Sequence, residues 1–250
     1  MKKEMINFAA VLLTVLTLVG CSENEDYSTW VRVTYNISSP GDAKILANEF
    51  DISEISKIAI VGASGQPESV KPSKTHTFDV SGEQTVYIKF KNANKVPNMV
   101  FTECRALTSA YIPSGITEIG EMAFTSCAAL RNVALPNSLK KIADWAFSGC
   151  ARLESVSIPN SVTEIGGRAF GACSKLSEVS IGSGVQKIGD FAFAYCPQLN
   201  WIYALPTNPP SLGEDAFERI NSSGTLYSPN IENYSKWTYS LGWRGRLYKD

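Results

Sequence analysis

Residues 130–152 read LRNVALPNSLKKIADWAFSGCAR, and residues 153–175 read LESVSIPNSVTEIGGRAFGACSK. The two lines superpose without a gap. Extended in both directions, the same register takes in Cys104, Cys127, Cys150, Cys173 and Cys196, each 23 residues after the last. Phe101, Phe124, Phe147, Phe170 and Phe193 keep it, as do Leu107, Leu130, Leu153, Leu176 and Leu199. Neither a disulfide framework nor a metal site spaces thiols so evenly. A chain that coils once per repeat does, and a period of about 20–29 residues with apolar side chains in fixed slots marks a solenoid.

The shared unit is L-x-x-V-x-[IL]-P-x-x-[VL]-x-x-I-[GA]-x-x-A-F-x-x-C-x-x. In one turn, Leu153, Val156 and Ile158 are expected to point inward from a short strand that Pro159 ends, with Asn160 beginning the turn. Val162 and Ile165 re-enter the core, Gly166 permits a tight backbone, and Ala169, Phe170 and Cys173 pack from the far side. Eight inward side chains in one turn cannot close a core alone, whereas stacked turns share one. The ends depart from the unit. Before Cys104 only Val96, Phe101 and Cys104 keep register, and one extra residue near Ala204-Leu205 places Leu212, Gly213, Ala216 and Phe217 24 after their counterparts.

The repeats thus span about 93–220. Residues 221–250 read as a cap, with a further strand around 224–229 and with Tyr234, Trp237 and Trp243 covering the open end. Residues 29–92 read as a small β-sandwich-like domain packed on the other end. Val31, Val33, Tyr35 and Ile37 alternate with polar residues, the pattern of a strand with one buried face. A second strand is expected over 55–61, loop over 62–72, and a hairpin formed by 75–80 and 85–90, with Val86, Ile88 and Phe90 inward.

Ahead of these, Lys2 and Lys3 precede an apolar run too short for a spanning helix of about 20 residues. Leu18-Val19-Gly20-Cys21 then matches the bacterial lipobox. Residues 1–20 are therefore expected to be a lipoprotein signal peptide and Cys21 the acylated first residue, several buried acyl chains giving stable anchoring. Residues 21–28 read as an acidic tether that resembles that of surface-exported lipoproteins, the alternative being a solvated linker with no address. Without residues 1–20 the charges fall to 21 basic against 23 acidic, which argues against nucleic acid as a partner.

The 23-residue unit resembles the BspA-type leucine-rich repeat. Pro136, Leu139, Ile142, Ala146, Phe147, Cys150 and Leu153 match its slots, as do Pro159, Val162, Ile165, Gly166, Ala169, Phe170, Cys173 and Leu176. Gly182 in place of proline, Ala143 in place of glycine and Ala110 in a branched slot are small departures. The resemblance implies a leucine-rich-repeat solenoid with parallel strands on one face and short helical or turn segments on the other. It also implies a cell-surface lipoprotein of the outer membrane, facing outward, that adheres to host or microbial proteins. It brings no catalytic residues and no cofactor.

Little else suggests chemistry, and the chain reads as non-enzymatic. The single histidine, His76, sits in a strand-like stretch with no marked nucleophile or orienting acid. The cysteines form a line rather than converging on one point, as tetrahedral zinc would require. They read as buried free thiols, in a slot that Ile220 fills in the last repeat. No phosphate-loop, dinucleotide or zinc-protease motif is present. Glu118, Glu164 and Asp190 occupy variable slots rather than forming a converging pair.

The informative surface is the outward side of the strand column, roughly 25 Å long at about 4.8 Å per strand. Tyr111, Arg131, Asn132, Glu154, Glu178, Trp201 and Tyr203 are the candidate ligand-binding residues there. Exposed aromatics and arginine dominate binding hot spots. A host or microbial surface protein is the first expected partner, with a glycan stacked on Trp201 and Tyr203 as the alternative. A second stripe, Met122, Trp145, Arg168 and Phe191, is expected to pack partly against adjacent turns.

Overall fold

The computed structural model describes residues 25–62 and 65–248. The lipobox, Cys21 and most of the acidic tether lie outside the described residues. From residue 94 onward the chain winds into a solenoid with two columns of parallel strands and a third side made of turns. The long strands are Leu107–Tyr111, Asn132–Ala134, Ser155–Ile158, Glu178–Ile181, Trp201–Ala204 and Thr225–Ser228. The short ones are Lys95–Val96, Glu118–Ile119, Lys141–Ile142, Glu164–Ile165, Lys187–Ile188 and Ser211–Leu212. Pairing follows the sequence period, Ser155 lying beside Glu178 and Glu178 beside Trp201. The extra residue of the fifth turn is absorbed without loss of register, since Ile188 still pairs with Leu212.

All eight expected inward positions of residues 153–175 are buried. Phe101, Phe124, Phe147, Phe170, Phe193 and Phe217 stack as a column of rings with centroids 4.9–5.3 Å apart. That spacing matches the strand separation, so the backbone repeat sets the ring repeat. Each buried phenylalanine contributes about 1.5–3 kcal/mol from burial.

The third side consists of turns rather than helices. Two positions per turn adopt left-handed backbone, mostly without being glycine: Met122, Trp145, Arg168 and Phe191 at one corner, and Ser126, Ala172 and Tyr195 at the other, where Gly149 takes the remaining turn. Such φ values are uncommon for bulky residues and hold only where the surroundings over-determine them. Here a ladder of backbone bonds does so. The N–H groups of Met122, Phe124 and Ser126 donate to Asp144, Ala146 and Ser148 one turn later, and every repeat follows suit.

The glycine slot has a partner one turn earlier. Asn98 Oδ1 accepts from Glu121 N, Asp144 Oδ1 from Gly167 N and Asp190 Oδ1 from Glu214 N, at 2.7–3.1 Å. A Cβ on Gly120, Gly166 or Gly213 would lie within 2.6 Å of that same Oδ1. Backbone crowds the slot as well, since a Cβ on Gly189 would lie 2.6 Å from Gly167 N; Ala143, which follows Glu121, is the departure from glycine.

Six strands precede the repeats: β1 (Val31–Ile37), β2 (Gly41–Lys44), β3 (Ile55–Val61), β4 (Pro67–Val70), β5 (Thr75–Phe78) and β6 (Gly82–Phe90). The expected inward faces of β1 and β6 are buried. The expected hairpin does not form. β6 lies inside the sheet between β1 and β3, leaving no free edge, so β5 pairs with β2 instead. The stretch expected as loop over 62–72 contains edge strand β4. The domain is also more than packed on the solenoid. β1 pairs antiparallel with Leu107–Tyr111, so one sheet runs from β4 into the long-strand column. Ala47 N donates to Val100 O in the first turn. An open first edge would otherwise expose unpaired backbone.

At the other end Thr225–Ser228 adds the anticipated strand, and Arg244–Leu247, which no sequence pattern announced, adds another in parallel. Between them the short helix Ser235–Leu241 closes on Gly242 in left-handed conformation. Tyr234, Trp237 and Trp243 are buried over the last turn, with Trp237 against Phe217 at 5.5 Å.

Candidate functional site

The outer surface of the long-strand column carries every binding residue expected from the sequence, but not on equal terms. Trp201 is 42 % exposed and its ring stacks on no other aromatic among the described residues. Tyr203 belongs to the cap: its ring stacks on Tyr227 at 4.8 Å and meets Tyr248 edge-on. Burial, then the Glu178 carboxylate, raises the Tyr203 hydroxyl above the usual tyrosine range. Glu178 lies directly beside Trp201 in the ladder. Tyr111, at the far end, is held under the Arg32 guanidinium at 5.2 Å, a cation–π contact from β1. Arg131, Asn132 and Glu154 are exposed near the strand starts.

Beside these candidates runs an open groove of about 480 Å³ lined by Arg131, Arg152, Glu154, Lys175, Ser177 and Gln198. Arg152 and Lys175 were not legible as candidates in the sequence because they precede the repeat leucine, outside the outward slots of the strand. The 23-residue offset between them was the available signal.

The short-strand column behaves differently. Lys95, Glu118, Lys141, Glu164 and Lys187 alternate in sign along adjacent strands. Lys95 pairs with Glu118 at 2.9 Å, and Glu164 accepts a hydrogen bond from Lys187 at 3.3 Å and forms an ion pair with Lys141 at 3.6 Å. Partial burial opposes the charge on Glu164, but the two lysines hold its carboxyl below the ordinary range. Glu118 and Glu164 are thus separated by Lys141 and form no acid–base dyad.

On the turn side, Arg168 is sandwiched between Trp145 and Phe191, 4.8 and 4.6 Å from the ring centroids. The second stripe therefore packs on itself as the sequence suggested, through cation–π contacts. The five repeat cysteines are free and buried. They also do more than fill space: the Sγ of Cys127, Cys150, Cys173 and Cys196 donates to the carbonyl of the phenylalanine one turn back, at 3.1–3.3 Å. Among the described residues no cluster of three His, Cys, Asp or Glu side chains is placed to hold a metal.

Parallel short strands, a phenylalanine spine and a flat column of exposed side chains define a repeat scaffold. Residues 94–234 match the family described as BspA type leucine rich repeat region, in six copies. The chain belongs to that family. Solved structures with a similar fold include a T. pallidum leucine rich repeat protein, at 22% identity and TM-score 0.45 over 61% of this chain and 78% of that one. A leucine-rich repeat protein from Bacteroides ovatus gives 24% identity and TM-score 0.40 over 71% and 55%. The pneumococcal vaccine antigen PcpA gives 19% identity and TM-score 0.50 over 65% and 46%. The chain thus spans under half of the pneumococcal antigen. No curated protein matches the sequence. Leucine-rich repeats of this kind are a scaffold class rather than an enzyme class.

Proposed function

We propose that this protein is a lipid-anchored cell-surface adhesin, held at Cys21 in the bacterial outer membrane and facing outward, whose long-strand surface binds a host or microbial protein. The observation that carries the reading is Trp201, an exposed indole beside Glu178 on a rigid, register-locked sheet. A large apolar side chain left open on such a scaffold is the usual anchor of a protein interface, and the strand that carries it is already held in register before binding. Tyr203 supports it from the cap rather than contacting the partner directly.

The test is an array of extracellular-matrix proteins and glycans probed with the chain from residue 22, which retains every described residue. Trp201→Ala is expected to lower affinity for the protein hits about 30-fold, the effect of a hot spot near 2 kcal/mol. Protein hits that survive the substitution unchanged would move the binding face elsewhere. Hits among glycans alone would make the protein a carbohydrate-capture component. Protease treatment of intact cells is expected to remove the protein, and its survival would place it on the inner side of the membrane.

A further inference from the structure

We infer that the groove formed by Arg131, Arg152 and Lys175 binds an anionic polysaccharide, one whose carboxylate or sulfate groups alternate with hydroxyls. This goes beyond the protein-binding reading and stands even if that reading fails. Arg131, Arg152 and Glu154 line the groove together, and Lys175 follows Arg152 one turn later, so the cations come from two successive repeats. All three are exposed, and none enters a salt bridge among the described residues, although Glu154 lines the same groove. The lysines of the short-strand column show the opposite arrangement, each matched to a glutamate of the neighbouring strand. In a chain whose formal net charge is −1, an uncompensated basic groove is a local feature and not a by-product of overall charge.

Two features favour a polysaccharide over an acidic peptide. Glu154 stands among the cations, where it can accept hydrogen bonds from sugar hydroxyls, which an acidic peptide lacks. Ser177 and Gln198 supply further neutral partners, and no apolar side chain lines the groove to anchor a peptide residue. Guanidinium groups pair with carboxylate or sulfate through two parallel N–H···O bonds. Trp201 stands one turn beyond Ser177 and Glu178, where a sugar ring that continues out of the groove can stack.

Calorimetric titration of the chain from residue 22 with polygalacturonate, dextran sulfate, neutral dextran and polyglutamate tests this. Binding is expected to polygalacturonate or dextran sulfate, separating the uronate from the sulfate source, and not to neutral dextran. Arg152→Gln with Lys175→Gln is expected to weaken it at least about tenfold through loss of two charge-assisted contacts. Lys141→Gln with Lys187→Gln removes the same charge from the paired column and is expected to change affinity less than about twofold, since those cations are already engaged. Equal losses in both double variants would mean diffuse charge attraction and overturn the site. Polyglutamate binding as tightly as the polysaccharides, or no binding of either anionic polysaccharide, would overturn the ligand. Protein hits on the array that persist in Arg152→Gln with Lys175→Gln would show that the two binding functions are separate.

Discussion

Phe147→Ala is expected to lower folding stability by about 3–5 kcal/mol, the range for emptying a buried phenylalanine site. The ring is fully buried and stacks on Phe124 at 5.0 Å and on Phe170 at 5.2 Å, nearly parallel to both. The cavity would be walled by backbone that the strand ladders and turn ladder hold in register, so little collapse can fill it. Because each turn contacts only its neighbours, the loss falls on two interfaces at once. Phe170→Ala should behave alike. Phe101→Ala, at the start of the column, loses stacking on one side only and should cost less. Urea melts of the three variants measure this. A loss below 1 kcal/mol at Phe147 would contradict the spine.

Stability is expected to fall steeply above pH 9, by about 5 kcal/mol between pH 8 and pH 10. Burial raises the Cys104 thiol from its ordinary 9.0 to about 12 and drives Cys127 and Cys150 up as well. Cys173 is raised by its contact with the Cys196 thiol and then by burial. Thiols whose folded pKa is raised keep their protons while the unfolded chain releases them. The stability is therefore intact below the unfolded pKa near 9 and is lost as pH rises toward the folded values. Each such thiol contributes about 1.4 kcal/mol of loss per pH unit in that window, and four act together. A typical domain has only about 5–15 kcal/mol in reserve. Denaturant midpoints at pH 8 and pH 10 measure the fall, and Cys127→Ala with Cys150→Ala should halve the slope. A midpoint independent of pH over that range would mean that the thiols reach solvent. In step with this, a thiol reagent at pH 8 is expected to find almost no native cysteine and all five repeat cysteines once the chain is unfolded.

The repeat was legible because its determinants are local and iterated. Leu153, Val156, Ile158, Val162, Ile165 and Phe170 each recur at a fixed interval, and a residue that recurs at one phase of a coil must face the same way in every turn. The candidate face followed from the same phase argument, which placed Trp201 and Glu178 on adjacent strands. The weight of its members did not follow. Trp201 and Tyr203 look equivalent in sequence, two residues apart on one strand, and only the position of Tyr227 and Tyr248 assigns the second to the cap. The basic groove escaped notice because its cations occupy two different slots of the repeat, on either side of the leucine.

Sequence alone therefore determined the solenoid, its period, its inward side chains and the line of thiols, since each depends on contacts between one turn and the next. The pairing of β1 with Leu107–Tyr111, the union of β5 with β2, and the added strand Arg244–Leu247 were decided by tertiary structure. So were the unpaired state of Arg131, Arg152 and Lys175 and the bonds from cysteine to the phenylalanine carbonyls. These depend on which backbone edges and which partners remain free after the rest has folded. Local pattern carries no record of that competition.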